Sequence, residues 1–295
     1  MSNALRYRQS AFEVVPAWRR WWPLAVAEFR TLFRTKGGVA VYCVCLLPGV
    51  VRLVILLVLF GVLNLGGGGI RAGAGQRARG VLEPASLDFY LRPALDVMPG
   101  MVVALLLTSL VTARAIARDR GTNALELYWT RGITPIGYLF AKWSGCCALF
   151  ATLTVGVPFV LWCVACLFAE DATPYVQLAP SIARGLLGTL TATATWTAVC
   201  VFLSAVCATP SLAMVAWSTL VVGTDAVGFV FAKLLAAPWL SSLGLWNAGA
   251  VLARAIAGVS QRDASLVTAV ITLGVATIGI GALAQRRIRL SEAVG

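Results

Sequence analysis

The sequence contains no histidine among its 295 residues. This absence excludes haem held by histidine, zinc sites built on histidine, the Ser–His and Cys–His nucleophile pairs, and proton relays through imidazole. Charged residues are also few, at 12% of the chain, whereas hydrophobic residues make up 59% and the mean hydropathy is +0.85. This balance lies far outside the range of soluble domains and indicates a membrane protein.

The sequence also lacks the motifs of nucleotide, redox and metal chemistry. It has no G-x-x-x-x-G-K-[ST] motif, and the glycine run at 66–69 continues into Ile70 and Arg71 without the lysine of a phosphate-binding loop. All eight cysteines fall in or beside apolar runs, and the C-x-x-C at Cys163 and Cys166 has no second pair. We interpret the cysteines as packing residues. We therefore expect no cofactor, no metal and no catalytic residue in this chain.

Long apolar runs account for about half of the sequence and predict an all-α, polytopic membrane protein with six transmembrane helices. Each crossing of a bilayer needs about 20 apolar residues in a helix. The connections are too short to form a separate hydrophobic core, so an attached soluble domain is excluded. The prediction divides the chain into an N-terminal arm at 1–38, one transmembrane domain at 39–284 and a basic tail at 285–295. The six helices are predicted at about 39–64, 94–114, 143–168, 185–207, 211–234 and 266–284.

The net charge of +12 is distributed unequally between the two sides of the predicted bundle. If the N-terminus is cytoplasmic, the inner segments carry 15 Lys and Arg residues and the outer segments carry 7. The positive-inside rule then places both termini in the cytoplasm, in a cell membrane that the chain crosses several times. Anionic headgroups of membrane lipid attract such basic residues, so the charge does not predict binding to nucleic acid.

An amphipathic helix is predicted before the first apolar run, between Trp18 and Lys36. Its apolar residues recur at offsets of three and four, and its arginines occupy the other side. Pro23 suits the first turn of this helix, and the tryptophans suit the headgroup zone. We expect the helix to lie in the membrane interface and the chain to turn into the membrane at Gly37 and Gly38. The apolar set is Trp18, Trp21, Trp22, Ala25, Phe29, Leu32 and Phe33.

The connection between the second and third predicted helices, residues 118–142, has the strongest local structure signals. Asn123 with Glu126 three residues later has the form of a helix N-cap, and Gly132 suits a C-terminal cap. Thr134 followed by Pro135 has the form of a second N-cap with proline at the first helical position. We expect a short helix, a break and a second helix that continues into the membrane.

Two charges fall near the middle of predicted transmembrane helices, Arg52 in the first and Asp225 in the fifth. A charge at this depth costs at least about 2.5 kcal/mol, so each is expected to face the bundle interior or an aqueous cavity. The two could pair with each other, or each could have a separate local partner. In the fourth helix, Thr189, Thr193 and Thr197 form a stripe that suits close helix packing, with a pathway lining as the alternative.

The 118–142 segment resembles a motif of the permease subunits of ABC exporters of the ABC-2 type. The similarity lies in an acid–Arg–Gly–Thr run, a Leu–Glu–Leu helix, a Pro turn and a Tyr–Leu–x–x–Lys run that enters a membrane helix. The arm around 28–34 is similar to that family's connecting helix, and 238–258 is similar to its re-entrant or interfacial segment before the sixth helix. The matching positions are Asp119, Gly121, Thr122, Leu125, Glu126, Pro135, Tyr138, Leu139 and Lys142. The residues that the resemblance implies dock an ATP-binding subunit are Asp119, Gly121, Thr122, Leu125, Glu126, Leu127, Pro135 and Tyr138.

The resemblance implies a non-catalytic transmembrane subunit of an ATP-driven exporter, in which 118–142 contains the coupling helix. It also implies two partners, a separate ATP-binding subunit that holds ATP and Mg²⁺ and a second permease chain, identical or paralogous. Cargo would be hydrophobic or amphipathic. An alternative is an ion- or proton-coupled secondary transporter that uses Arg52 and Asp225. A membrane-embedded enzyme or assembly scaffold is a third class, which the missing histidine disfavours.

Overall fold

The computed structural model describes residues 17–60, 62, 84–122, 124, 125, 128, 133–259 and 265–294, and within these ranges the regular structure is entirely helical. Short 3₁₀ or π turns join several of the α-helices. The α-helices are α1 Ala17–Thr31, α2 Lys36–Leu59, α3 Leu87–Leu95, α4 Val102–Leu110, α5 Ala115–Gly121, α6 Pro135–Ala151, α7 Val157–Phe168, α8 Thr173–Gln177, α9 Ala179–Val206, α10 Pro210–Leu234, α11 Leu245–Ile256 and α12 Leu266–Val294.

Six helical stretches are long and apolar enough to cross a membrane, which confirms the predicted number and all-α class. Their bounds differ from the predicted ones by up to eight residues. Span three begins eight residues earlier than predicted, because its N-cap and polar first turn extend the helix beyond its apolar part, whereas span one ends five residues earlier and span two begins five residues later. We number them as spans one to six. Their bounds are Lys36–Leu59, Pro99–Gly121, Pro135–Phe168, Ala179–Val206, Pro210–Leu234 and Leu266–Arg287.

The chain enters span one at Thr35, which corrects the predicted turn at Gly37 and Gly38. Thr35 has extended backbone angles, and its Oγ1 accepts a hydrogen bond of 3.0 Å from the Gly38 N–H, so it is the N-cap of the span. Both glycines belong to the first helical turn. Pro23 lies inside α1 rather than in its first turn. The N-terminal helix and span one are therefore joined by a single extended residue after a short 3₁₀ turn.

Helix α1 packs lengthwise against the first part of span three. A side chain at Gly145 would collide with the Ala25 carbonyl, so the two backbones are in direct contact. Ala25 and Glu28 of α1 are buried, as is Leu32 in the turn that follows it, whereas Trp22 is 58% exposed. The buried face of α1 thus includes an acid, which the amphipathic pattern did not predict, and the interfacial position of this helix stays a prediction.

The interior of the bundle is formed mainly by spans two, three and four and by α11. The threonine stripe of span four lies in this interior and is completely buried. Thr193 Oγ1 lies 2.8 Å from Thr154 Oγ1 of span three, and Thr197 donates to the Thr193 carbonyl at 2.7 Å. These contacts support the interpretation of the stripe as close helix packing.

After span five the chain turns back and runs into the bundle again. The 3₁₀ turn Pro238–Leu243 lies against span five, where a side chain at Gly228 would come within 3.1 Å of the Leu240 carbonyl. Helix α11 then begins beside Asp225, nine residues before the end of span five, which is about 14 Å along the axis of that span at 1.5 Å per residue. The 238–258 segment therefore folds back along span five into the bundle, and we call it the re-entrant hairpin.

Candidate functional site

A buried cluster of charges joins α1, the end of span two and the start of span three. The Lys142 ammonium Nζ lies 2.6 Å from Glu28 Oε2 and 2.7 Å from Asp119 Oδ2. The Tyr138 hydroxyl donates a hydrogen bond of 2.9 Å to the same oxygen of Asp119. The side chains of Lys142, Glu28 and Asp119 are only 2%, 3% and 9% exposed. We call these four residues the charge cluster.

Local sequence signals bring the members of the charge cluster together. Thr134 caps span three by accepting from the Gly137 N–H at 3.2 Å, and Pro135 occupies the first turn, as predicted. Tyr138 and Lys142 are four residues apart, so a helix that begins at Pro135 places both on one face. The close approach of α1 at Gly145 then brings Glu28 opposite Lys142.

The charge cluster holds two carboxylates against one ammonium group. Among the described atoms, Glu28 Oε1 is buried without a hydrogen-bond partner, whereas Oε2 is bound to Lys142. Taking charges out of water costs several kcal/mol per ion, which only close pairing repays. Lys142 therefore fixes both carboxylates, and α1 cannot separate from span three without exposing unpaired charge.

The connection after span two covers this cluster. The ring of Tyr128 lies 5.4 Å from that of Tyr138, and burial together with the nearby Asp119 carboxylate raises the pKa of Tyr128. Leu125 is also buried. The described part of the 118–142 segment is thus held against α1 and span three by aromatic, apolar and ionic contacts together.

The residues predicted to dock an ATP-binding subunit separate into two groups. Asp119, Leu125 and Tyr138 are buried in this chain and hold the segment in place. Gly121 and Thr122 are exposed and Pro135 is partly exposed. Glu126 and Leu127 lie outside the described residues, as does most of the helix predicted after Asn123.

Sequence reasoning missed the contacts of Arg120, which follows Asp119. Its guanidinium donates to the carbonyls of Ala205 at 2.6 Å and Cys207 at 3.1 Å, at the C-terminal end of span four. Ser204 Oγ accepts from the Ile116 and Ala117 N–H groups, each at 3.1 Å. Free carbonyls at a helix end favour a cation. The end of span two is therefore fastened to span four as well as to span three.

The structure does not pair Arg52 with Asp225; each charge has its own local partners. Arg52 Nη1 donates to the Phe89 carbonyl, and its guanidinium lies 5.1 Å from the centre of the Phe89 ring. No acidic side chain forms an ion pair with Arg52 within the described part of the chain. Of the two readings of these charges, the structure favours separate local partners.

Asp225 caps the re-entrant helix α11. Its two carboxylate oxygens accept hydrogen bonds from the N–H groups of Trp246 at 2.9 Å and Asn247 at 3.0 Å, and the neighbouring Thr224 Oγ1 accepts from Leu245 N–H at 3.1 Å. A side chain at Gly244 would collide with this carboxylate. A negative charge at a helix N-terminus is stabilised by the helix dipole. Asp225 therefore has a structural role here, as the N-terminal cap of α11.

The comparisons do not place the chain in a known family. No family model matches the sequence, and no curated protein and no solved structure shows significant similarity to it. In the described ranges no group of His, Cys, Asp or Glu residues is arranged to hold a metal ion. The six apolar helices indicate a multi-pass membrane protein, and its function is inferred below from the geometry.

Proposed function

We propose that this chain is the transmembrane permease subunit of an ATP-driven exporter of the ABC-2 type. It moves a hydrophobic or amphipathic cargo across the cell membrane and contributes no catalytic residue to ATP hydrolysis. A separate subunit binds ATP and Mg²⁺, and a second permease chain completes the pathway. Both termini, α1 and the 118–142 segment lie on the cytoplasmic side in this proposal, and α1 lies in the membrane interface.

The observation that carries the proposal is the charge cluster. A permease driven by another subunit needs an element that transmits force from its surface to several spans at once, by rigid-body movement. Asp119 and Arg120 fasten the end of span two to spans three and four, and Glu28 adds α1 to the same unit. Pressure on the exposed residues Gly121 and Thr122 would therefore act on three spans.

The proposal is tested by identifying the chains that accompany this protein. The full-length chain, tagged and produced in its native host, is extracted in mild detergent and its co-purifying proteins are identified by mass spectrometry. We expect a protein with a phosphate-binding loop to co-purify, and the complex to hydrolyse ATP. The same preparation separated from that partner should show no hydrolysis.

A matched substitution separates a specific complex from fortuitous co-purification. Replacing the catalytic acid of the partner should abolish hydrolysis without releasing the partner. If the chain purifies without any ATP-binding protein in several mild detergents, and a proton or sodium gradient alone drives its transport activity in vesicles, the exporter proposal is wrong.

A further inference from the structure

Arg52 is a charge inside span one to which the proposed function gives no role. Its Nη1 donates to the Phe89 carbonyl, and its guanidinium lies 5.1 Å from the centre of the Phe89 ring. It is seven residues before the end of span one, which is about 10 Å from that end along the helix axis. A charge at this depth is costly, and a guanidinium has more N–H donors than one carbonyl can satisfy. Arg52 therefore retains donors for a ligand.

The charged groups around Arg52 leave an excess of positive charge. Arg92 Nε lies 3.9 Å from Asp88 Oδ2 and 3.8 Å from Asp96 Oδ2. Arg254 Nη2 lies 2.5 Å from Asp96 Oδ1. Asp88, Arg92 and Asp96 also act on Arg52 electrostatically, so the described group holds three arginines against two aspartates. Because both aspartates already pair with other arginines, an anion from outside the chain would complete the group.

A mainly apolar pocket lies one helical turn from Arg52. It is bounded by span one, by the junction between α3 and span two, and by span three, and it holds about 390 Å³ of empty space, its open mouth included. Gly49 lines it three residues before Arg52 on span one, and Pro93 lines it four residues after Phe89 on α3. The pocket and the guanidinium are therefore neighbours on two elements. Other lining residues are Cys45, Pro48, Ala94, Val103 and Leu153.

The backbone is irregular on each side of this pocket. Pro48 lies inside span one and Pro93 inside α3, and π-helical turns at Val97–Met101 and Thr152–Gly156 contribute to the lining. At membrane depth, irregular backbone is tolerated only where it is buried in protein or lines a cavity. π-Helical turns and interrupted membrane helices also occur frequently at binding sites. The interruptions thus point to the pocket as a place where a ligand binds.

We propose that Arg52 and this pocket form a binding site for an anionic amphiphile, with a phosphate or carboxylate head on Arg52 and an alkyl chain in the pocket. We call this the amphiphile site. The fork of a guanidinium matches the oxygens of either head. The apolar walls favour an alkyl chain over water. The identification of this amphiphile as the cargo rests on the proposed exporter function, whereas its binding does not.

Binding of dodecyl phosphate to the full chain in phosphatidylcholine nanodiscs, measured by equilibrium dialysis against empty nanodiscs, tests the amphiphile site. We expect saturable binding, and we expect dodecanol and inorganic phosphate each to bind at least about tenfold more weakly, since one lacks the anionic head and the other the chain. Arg52→Gln should weaken binding of dodecyl phosphate at least about tenfold and leave that of dodecanol unchanged. Lys233→Gln is the matched control, because Lys233 is an exposed cation at the end of span five that contacts the Phe229 ring.

Val103→Phe tests the pocket separately from the charge. The added ring would occupy the pocket, so we expect dodecyl phosphate to bind at least about fivefold more weakly. Val102→Phe is its matched control, because Val102 is 37% exposed and does not line the pocket. Thermal unfolding establishes that each variant is folded. If Arg52→Gln does not fold, Arg52→Lys replaces it, and this variant should also bind more weakly than the wild type because lysine lacks the guanidinium fork.

Equal binding of dodecyl phosphate by the wild type and the Arg52 variants, or by the two phenylalanine variants, would overturn the amphiphile site. Nanodiscs doped with phosphatidate identify the source of the ligand: competition assigns the site to a membrane phospholipid, and absence of competition assigns it to a single-chain amphiphile. If the probe binds as expected but no ATP-binding chain co-purifies, the amphiphile site stands and the exporter proposal fails. If a working ATPase complex forms but the variants bind like the wild type, the exporter proposal stands and the amphiphile site fails.

Discussion

Lys142 Nζ is shared between Glu28 Oε2 at 2.6 Å and Asp119 Oδ2 at 2.7 Å, although these residues come from three different parts of the chain. A single ammonium group thus pairs with two buried acids. Because the shared group is the cation, its removal leaves two buried acids without a partner, whereas removal of either acid leaves an ion pair intact.

Lys142→Met should be strongly destabilising, because it leaves two buried carboxylates without a cation. Removing one partner of a buried ion pair costs about 3–5 kcal/mol. Glu28→Gln or Asp119→Asn leaves a one-to-one pair and should cost clearly less. The midpoint of thermal unfolding of the purified chain, followed by tryptophan fluorescence, measures the difference.

Lys233→Met is the matched control for this series. Lys233 is exposed at the end of span five and lies 4.4 Å from the centre of the Phe229 ring, so its loss should cost at most about 1 kcal/mol. Equal effects of the two lysine substitutions would show that the charge cluster does not hold α1 to span three.

Asp225→Ala should loosen the start of α11 while span five stays helical. It removes two hydrogen bonds to a carboxylate, each of which contributes about 1.5–3 kcal/mol in favourable settings. Asp225→Asn keeps one acceptor oxygen and should lie between alanine and the wild type. Protection of the Trp246 and Asn247 amides in hydrogen exchange is the readout.

The same two variants also test the alternative role of Asp225. If the alanine and asparagine variants lose transport equally while protection of α11 is unchanged, Asp225 carries an ion and the capping account is wrong.

Periodicity and hydrophobicity predicted the parts of this fold that depend on neighbours along the chain. The six spans, the cap at Thr134 and Pro135, and the packing role of Thr193 all follow from patterns within a few residues. The contact between Glu28 and Lys142 joins residues 114 positions apart, so no local pattern could indicate it. A hydrophobicity pattern assigns an acid to the polar side of a helix, so it could not indicate that Glu28, the acid of α1, is buried.

The two mid-span charges show how far a depth argument reaches. Their depth predicted that each needs a polar partner, but it left open whether they pair with each other or have separate local partners. In the structure Asp225 is satisfied by backbone N–H groups of α11 and Arg52 by the Phe89 carbonyl. Backbone groups have no signal in the sequence, so partners of this type are found only in three dimensions.

Gly249→Ala should destabilise the contact between α11 and span four. An added methyl group at Gly249 would collide with the ring of Trp196, whose indole N–H donates to the Leu245 carbonyl at 3.0 Å. Overpacking of a filled interior costs about 1–3 kcal/mol. Thermal unfolding of the two glycine variants measures the cost.

Gly223→Ala is the control for this position, because an added methyl group there would have no neighbour within 4 Å. That change should be neutral or stabilising by up to about 1 kcal/mol, since alanine favours helix. If the two alanine variants unfold at the same temperature, α11 does not pack on span four as described.

Gly121→Trp tests docking of the ATP-binding subunit without disturbing the fold. Gly121 is exposed, and a side chain built there has no neighbour within 4 Å, so the isolated chain should unfold at the wild-type temperature. A bulky ring at a docking surface would exclude the partner. We expect at least about tenfold less ATP-binding subunit to co-purify, because a loss of about 1.4 kcal/mol is already a tenfold change in affinity.

Gly274→Trp is the control, because it places the same ring at a glycine of span six that also has no neighbour within 4 Å, and it should leave co-purification unchanged. Asp119 of the charge cluster lies two residues before Gly121 on the same helix, so a normal complex with Gly121→Trp would mean that force reaches the charge cluster by another surface.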